Sequence, residues 1–225
     1  MEWNETSGRY RLHDLVRLFA SAKLSPPRRA IDQKRHAEYF LAKLEATEPY
    51  LGGRDLGYYM DLFKAEQYNM RAALKWSLEN NAEMALRFAY SLSPFWNILG
   101  QLNEESTALN AALEKAPEAP MKLRMRVLGR AALRQPNSKR AKELAEQHLE
   151  LSRETGAELE EAWALENLGI IERTRGHLQE ARSLERALVI FQQKNDKNGM
   201  ARTLLNLCVL AIDQDEFDSA LKFVT

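Results

Sequence analysis

Arg126, Arg130 and Arg134 recur at every fourth position, a spacing that sets all three guanidinium groups on one face of a helix. Guanidinium forks match carboxylates with paired N–H donors, so such a stripe is chemically suited to an acidic ligand. Two asparagines, Asn167 and Asn206, each precede a leucine in the same local setting. An amide offers donors and an acceptor and can pair with both polar groups of a peptide backbone. Trp163, just before the first asparagine, and Arg173 and Arg202, between the two, complete a candidate row. Nothing comparable supports catalysis. His36, His148 and His177 sit on different segments, without the i, i+4 spacing of helical metal ligands and without a His-Glu-x-x-His stretch. No Gly-x-Ser-x-Gly nucleophile turn occurs. The pairs Glu104-Glu105 and Glu160-Glu161 are neighbours along a helix, do not share a face, and read as solvated charges. The expectation is a binding protein with no catalytic residue, no metal and no cofactor.

The elements that must position this row are helical. Of 225 residues, 45% are apolar and 28% charged, with 32 basic residues against 32 acidic ones. That balance lacks the basic excess of a dedicated nucleic-acid binder. A single cysteine, Cys208, excludes an internal disulfide framework. No apolar run approaches the roughly 20 residues of a membrane span, and charges run through the first twenty residues, so the expected compartment is the cytoplasm. After Leu12 the chain becomes a succession of amphipathic helical segments. They are broken at Ser25-Pro26-Pro27, Leu51-Gly52-Gly53, Asn80-Asn81, Pro117 to Pro120, Gln135-Pro136-Asn137, Gly156 and Asn195 to Gly199. Breaks this short imply antiparallel helix hairpins.

The second half repeats. Leu128-Gly129, Leu168-Gly169 and Leu207-Cys208 recur at intervals of 40 and 39 residues, and an alanine follows twelve positions after each small residue, at Ala141, Ala181 and Ala220. Small residues on both helices of a pair allow close approach, leucines fill the seam, and stacked pairs complete the core. A looser copy runs from Phe95-Trp96 through Leu99-Gly100 to Leu113. The pattern resembles tetratricopeptide repeats, lengthened beyond the usual unit of about 34 residues. Asp215 stands where the preceding copy has Gly176, and one residue is missing near Ala181 to Ala187. If Gly129, Gly169 and Cys208 mark one position, the first helix of each pair lines a concave face. The expected row is then Arg126, Arg130, Arg134, Trp163, Asn167, Arg173, Arg202 and Asn206. Alanine at Asn167 and Asn206 should weaken partner binding and leave melting nearly unchanged.

The N-terminal stretch Arg9 to Ala20 resembles the end of the winged helix in signal-transduction ATPases with numerous domains, the STAND/NB-ARC type. His36-Ala37-Glu38-Tyr39-Phe40 and Glu66 to Trp76 resemble the linker helices that follow, and Phe95 to Gly100 resembles the entry to the helical-repeat sensor of the same proteins, many of them bacterial transcriptional regulators. The resemblance implies that His13 stands where the family's histidine reaches the β-phosphate of bound ADP, with Asp14 orienting its helix. This chain has no Gly-x-x-x-x-Gly-Lys-Ser/Thr loop to cradle phosphates, so the expected latch is idle.

Together these readings give an all-α fold, an α-α superhelix of tetratricopeptide-like hairpins with a small winged-helix remnant in front. The division expected is a remnant over 1–24, a helical linker and degenerate repeat over 25–118, and repeats over 119–225. The expected function is non-catalytic recognition of a protein or peptide segment, acidic where it meets the arginines, as the sensor or scaffold arm of a signalling ATPase or transcriptional regulator. The alternative is a nucleotide-responsive part in which His13 senses phosphate together with a separate ATPase core. The apolar helix near the start and the short last helix pair read as cut ends, to be covered by an ATPase core, a capping element or a second copy. The basic residues among the first forty read as solvated, without direct DNA contact.

Overall fold

The computed structural model describes residues 2–4, 9–11, 14–51, 53–135, 137–179 and 182–223; for 2–4, 9–11, 14, 17 and 21 it describes the backbone. Two short antiparallel strands open the chain. β1 (Glu2–Asn4) pairs with β2 (Arg9–Arg11) in the register Glu2 to Arg11, Trp3 to Tyr10 and Asn4 to Arg9. The remainder is helical: α1 (Asp14–Lys23), α2 (Pro26–Glu45), α3 (Leu56–Asn80), α4 (Ala82–Ile98), α5 (Leu102–Lys115), α6 (Met121–Ala132), α7 (Lys139–Glu154), α8 (Glu158–Thr174), α9 (Ser183–Gln193), α10 (Lys197–Asp213) and α11 (Phe217–Lys222). The fold is all-α.

From α2 onward every helix packs on the next, and α2, α4, α6, α8 and α10 also pack on one another in turn. The architecture is therefore two-layered, with the first helices of successive hairpins forming one wall. Local chemistry sets the boundaries. Asn81, Ser138 and Asp196 each accept a hydrogen bond from a backbone N–H three residues on, capping α4, α7 and α10. The turns repeat as well as the helices: Gly156 and Asn195 both have positive φ, and so do Gly176 and Asp215. Asparagine and aspartate tolerate this left-handed backbone better than other side chains do, which explains how Asp215 replaces a glycine. Helices α8 and α10 each run 17 residues, whereas α9 has 11 residues against 16 in α7. The stretch near Ala181 to Ala187, where one residue fewer is expected, leads into α9, and Ala181 itself lies outside the described residues.

One continuous core runs from Ala37 on α2 to Ile171 on α8 and crosses residue 118 without interruption. Trp96, Phe88, Phe95 and Leu109 are fully buried in it, each contributing about 1.5–3 kcal/mol of apolar burial. Smaller clusters follow around Phe191, around Leu184 with Leu207, and around Cys208 with Ala220. Among the described residues, Leu15, Leu18 and Phe19 on α1 and Phe217 and Leu221 on α11 are exposed apolar side chains. No described helix is long and apolar enough to cross a membrane.

Candidate recognition groove

Along the wall of first helices, α4, α6, α8 and α10 enclose a cavity of about 380 Å³, with α7 contributing from the second layer. Six of the eight residues in the expected row line it: Arg126, Arg130, Arg134, Trp163, Asn167 and Arg202. The helical spacing predicted this for α6, where Val127, Leu128, Ala131 and Ala132 face the core and turn the arginines into the cavity. Arg173 and Asn206 lie elsewhere. Arg173 bonds Asp213 of α10 at 2.9 Å, and Asn206 donates to Glu166 Oε1 and to the Arg202 carbonyl, each at 3.1 Å.

Most of the arginines already hold a carboxylate of this chain. Arg126 donates to Glu48 and to the Tyr90 hydroxyl, both at 2.9 Å, with its guanidinium 4.2 Å from the Tyr90 ring centre. Burial alone would lower its pKa, but Tyr90 and Glu48 outweigh that and raise it above the ordinary arginine value. Arg134 donates to Glu105 at 3.0 Å and to Asn97 at 3.3 Å. Arg202 grips both oxygens of Glu166 and stacks over Trp163 at 4.3 Å, while Phe191 packs against that indole. Arg130 differs: it lies 5.4 Å from the Tyr90 ring centre and has no ion pair among the described residues. The stripe expected to present three open cations presents one.

Two expectations are corrected by burial. Glu105 is fully buried rather than solvated, accepting hydrogen bonds from Ser93 on α4 and Arg134 beyond α6. Its neighbour Glu104 pairs with Arg71, while Glu160 meets His148 at 3.1 Å and Glu161 pairs with Arg153. Asn167, expected to offer both halves of its amide to a ligand, is 3% exposed and spends its N–H on the Gly129 carbonyl at 3.0 Å. Its Oδ1 has no hydrogen-bond partner among the described residues.

Tyr90, His148 and Glu160 also line the cavity and were not in the expected row. His148 is 1% exposed, and its ring lies where a Cβ on Gly129 would be, at 3.0 Å. The missing side chain at Gly129 is what admits the imidazole, a signal carried by the small-residue repeat. Among the described residues no three His, Cys, Asp or Glu side chains gather as a metal site. His13 lies outside the described residues, and Asp14 is placed only as the first residue of α1.

No protein-family model matches the chain. A stretch of 107 residues, 47% of this chain, is 36% identical to proteins each named "Putative HTH-type transcriptional regulator" in Mycobacterium bovis and in two strains of Mycobacterium tuberculosis. The match takes in 12% of those relatives' length. In three dimensions the chain is similar to the crystal structure of BtubC (BKLC) from P. vanneervenii. The TM-score is 0.61 over 95% of this chain and 89% of that one, at 19% identity, which is a likeness of fold.

Proposed function

We propose that this chain is a non-catalytic recognition module, the helical-repeat arm of a regulator, and that its groove holds a segment of peptide or protein. The observation that carries the reading is the convergence of Arg126, Arg130, Arg134, Trp163, Asn167 and Arg202 from α6 and the turn after it, α8 and α10 on one cavity. Ion pairs and aromatic stacking hold most of these side chains in place before any ligand arrives, which lowers the entropic cost of binding. The relatives named as transcriptional regulators favour a regulatory setting. Within a longer regulator of the type that Arg9 to Ala20 resembles, a ligand preferring one arrangement of the stacked hairpins would shift the population toward it.

The test is an array of blocked peptides spanning acidic, neutral and basic sequences, probed with the full chain. Retention of a subset that is lost in Arg130→Gln supports the groove. A uniformly blank array, with the protein folded by circular dichroism, would overturn the reading.

A further inference from the structure

Buried polar atoms in folded proteins nearly always have partners. Among the described residues, three of the exceptions belong to residues that line the same cavity: Asn167 Oδ1, His148 Nδ1 and Arg134 Nε. Their hydrogen-bonding sense follows from the partners their other atoms already have. One N–H of Asn167 donates to the Gly129 carbonyl, which fixes the amide with its acceptor Oδ1 unpartnered. His148 Nε2 faces the Glu160 carboxylate at 3.1 Å. An ionised carboxylate only accepts, so Nε2 is the donor in this pair, and in the neutral imidazole the lone pair then sits on Nδ1. The cavity therefore joins two buried acceptors to a guanidinium, Arg130, that lacks a carboxylate among the described residues. The matching ligand carries N–H donors next to an anionic group. Flat rings find little to stack on, because Arg202 and Phe191 pack on Trp163 and Arg126 on Tyr90.

We propose that this cavity receives an internal aspartate or glutamate of a peptide segment. The side-chain carboxylate pairs with Arg130, and adjacent backbone N–H groups donate to Asn167 Oδ1 and His148 Nδ1. This assignment rests on the peptide-groove reading and adds to it the residue type and the polar atoms that read it.

Titration calorimetry of the full chain tests it with four probes. These are a blocked octapeptide of alternating glutamate and alanine, its glutamine counterpart, the glutamate peptide N-methylated along its backbone, and an alanine octapeptide with a free C-terminus. The glutamate peptide should bind at least about tenfold tighter than the glutamine one, as expected for a charge-assisted bidentate pair. Arg130→Gln should abolish that ratio without moving the melting temperature, Arg130→Lys should keep part of it, and N-methylation should weaken binding. Equal affinities for the glutamate and glutamine peptides would overturn the assignment while leaving the groove reading in place. Tightest binding of the free-terminus alanine peptide would overturn it in favour of a terminal carboxylate. Binding of none of the four, after a blank array, would remove the groove reading and this assignment together.

Discussion

Replacing Asn167 by alanine tests how the hairpins are joined. Helix α6 ends at Ala132, and the Leu133 amide beyond it bonds the Ala131 carbonyl. The last carbonyls of a helix have no intrahelical donor, and the Gly129 carbonyl is served instead by Asn167 of the next hairpin, at 3.0 Å in a buried site. Losing that amide leaves a buried acceptor unpaired, at a cost of about 1–3 kcal/mol. A chain of this size loses about 2–4 °C of melting temperature per kcal/mol, so a midpoint cost of about 2 kcal/mol predicts a drop of about 4–8 °C. Asn206→Ala is the matched control, because Glu166 keeps its bidentate Arg202 when the 3.1 Å contact from Asn206 is lost. Its cost should stay below about 1 kcal/mol. Asn167→Asp, similar in shape but without the donor, should destabilise at least as much as alanine. Calorimetric scans of the three variants decide the matter. Equal melting losses for Asn167→Ala and Asn206→Ala would refute the interhelical cap. Losses near zero in both would restore the expectation that the two asparagines can be removed without affecting stability.

Two further outcomes follow from packing and charge. In Gly169→Ala the new Cβ would lie 2.5 Å from Cγ of Leu184, a fully buried residue on α9. Overpacking of this kind costs about 1–3 kcal/mol, and an unchanged urea midpoint would contradict the close approach of α8 and α9. Glu172 tests the pH dependence: burial alone would raise its pKa, but Lys142 at 2.7 Å and His177 at 2.8 Å, with Arg175 nearby, outweigh this and lower it. A depressed native pKa contributes stability above the unfolded value, about 4.3, which is lost as pH falls through the folded one. Wild-type melting should therefore decline more steeply than that of Glu172→Gln below about pH 4.5. Parallel acid limbs would show that the cluster does not contribute.

What could be read from residue order, and what could not, divides along physical lines. Small residues recurring about forty positions apart require close helix contacts wherever the helices end, so the hairpin succession and the wall bearing the arginines were legible. Helix length around those positions was not. Helix α6 stops three residues past Gly129, while α8 continues five past Gly169. The Gly169 carbonyl can thus be served within its own helix, and Asn206, in register with Asn167, turns to Glu166 instead. Equivalent positions acquired different duties because one helix is shorter. Charge was legible only as a count. Glu48, Glu105 and Glu166 come from segments 78, 29 and 36 residues away from the arginines they hold, and no local spacing announces those pairings. They change the electrostatics of the groove in kind. A carboxylate approaching Arg126, Arg134 or Arg202 must compete with one already bound, whereas at Arg130 it meets a guanidinium with no carboxylate of its own among the described residues. The groove should therefore discriminate through a single ion pair, and its affinity for acidic peptides should scale with the placement of one carboxylate rather than with total negative charge.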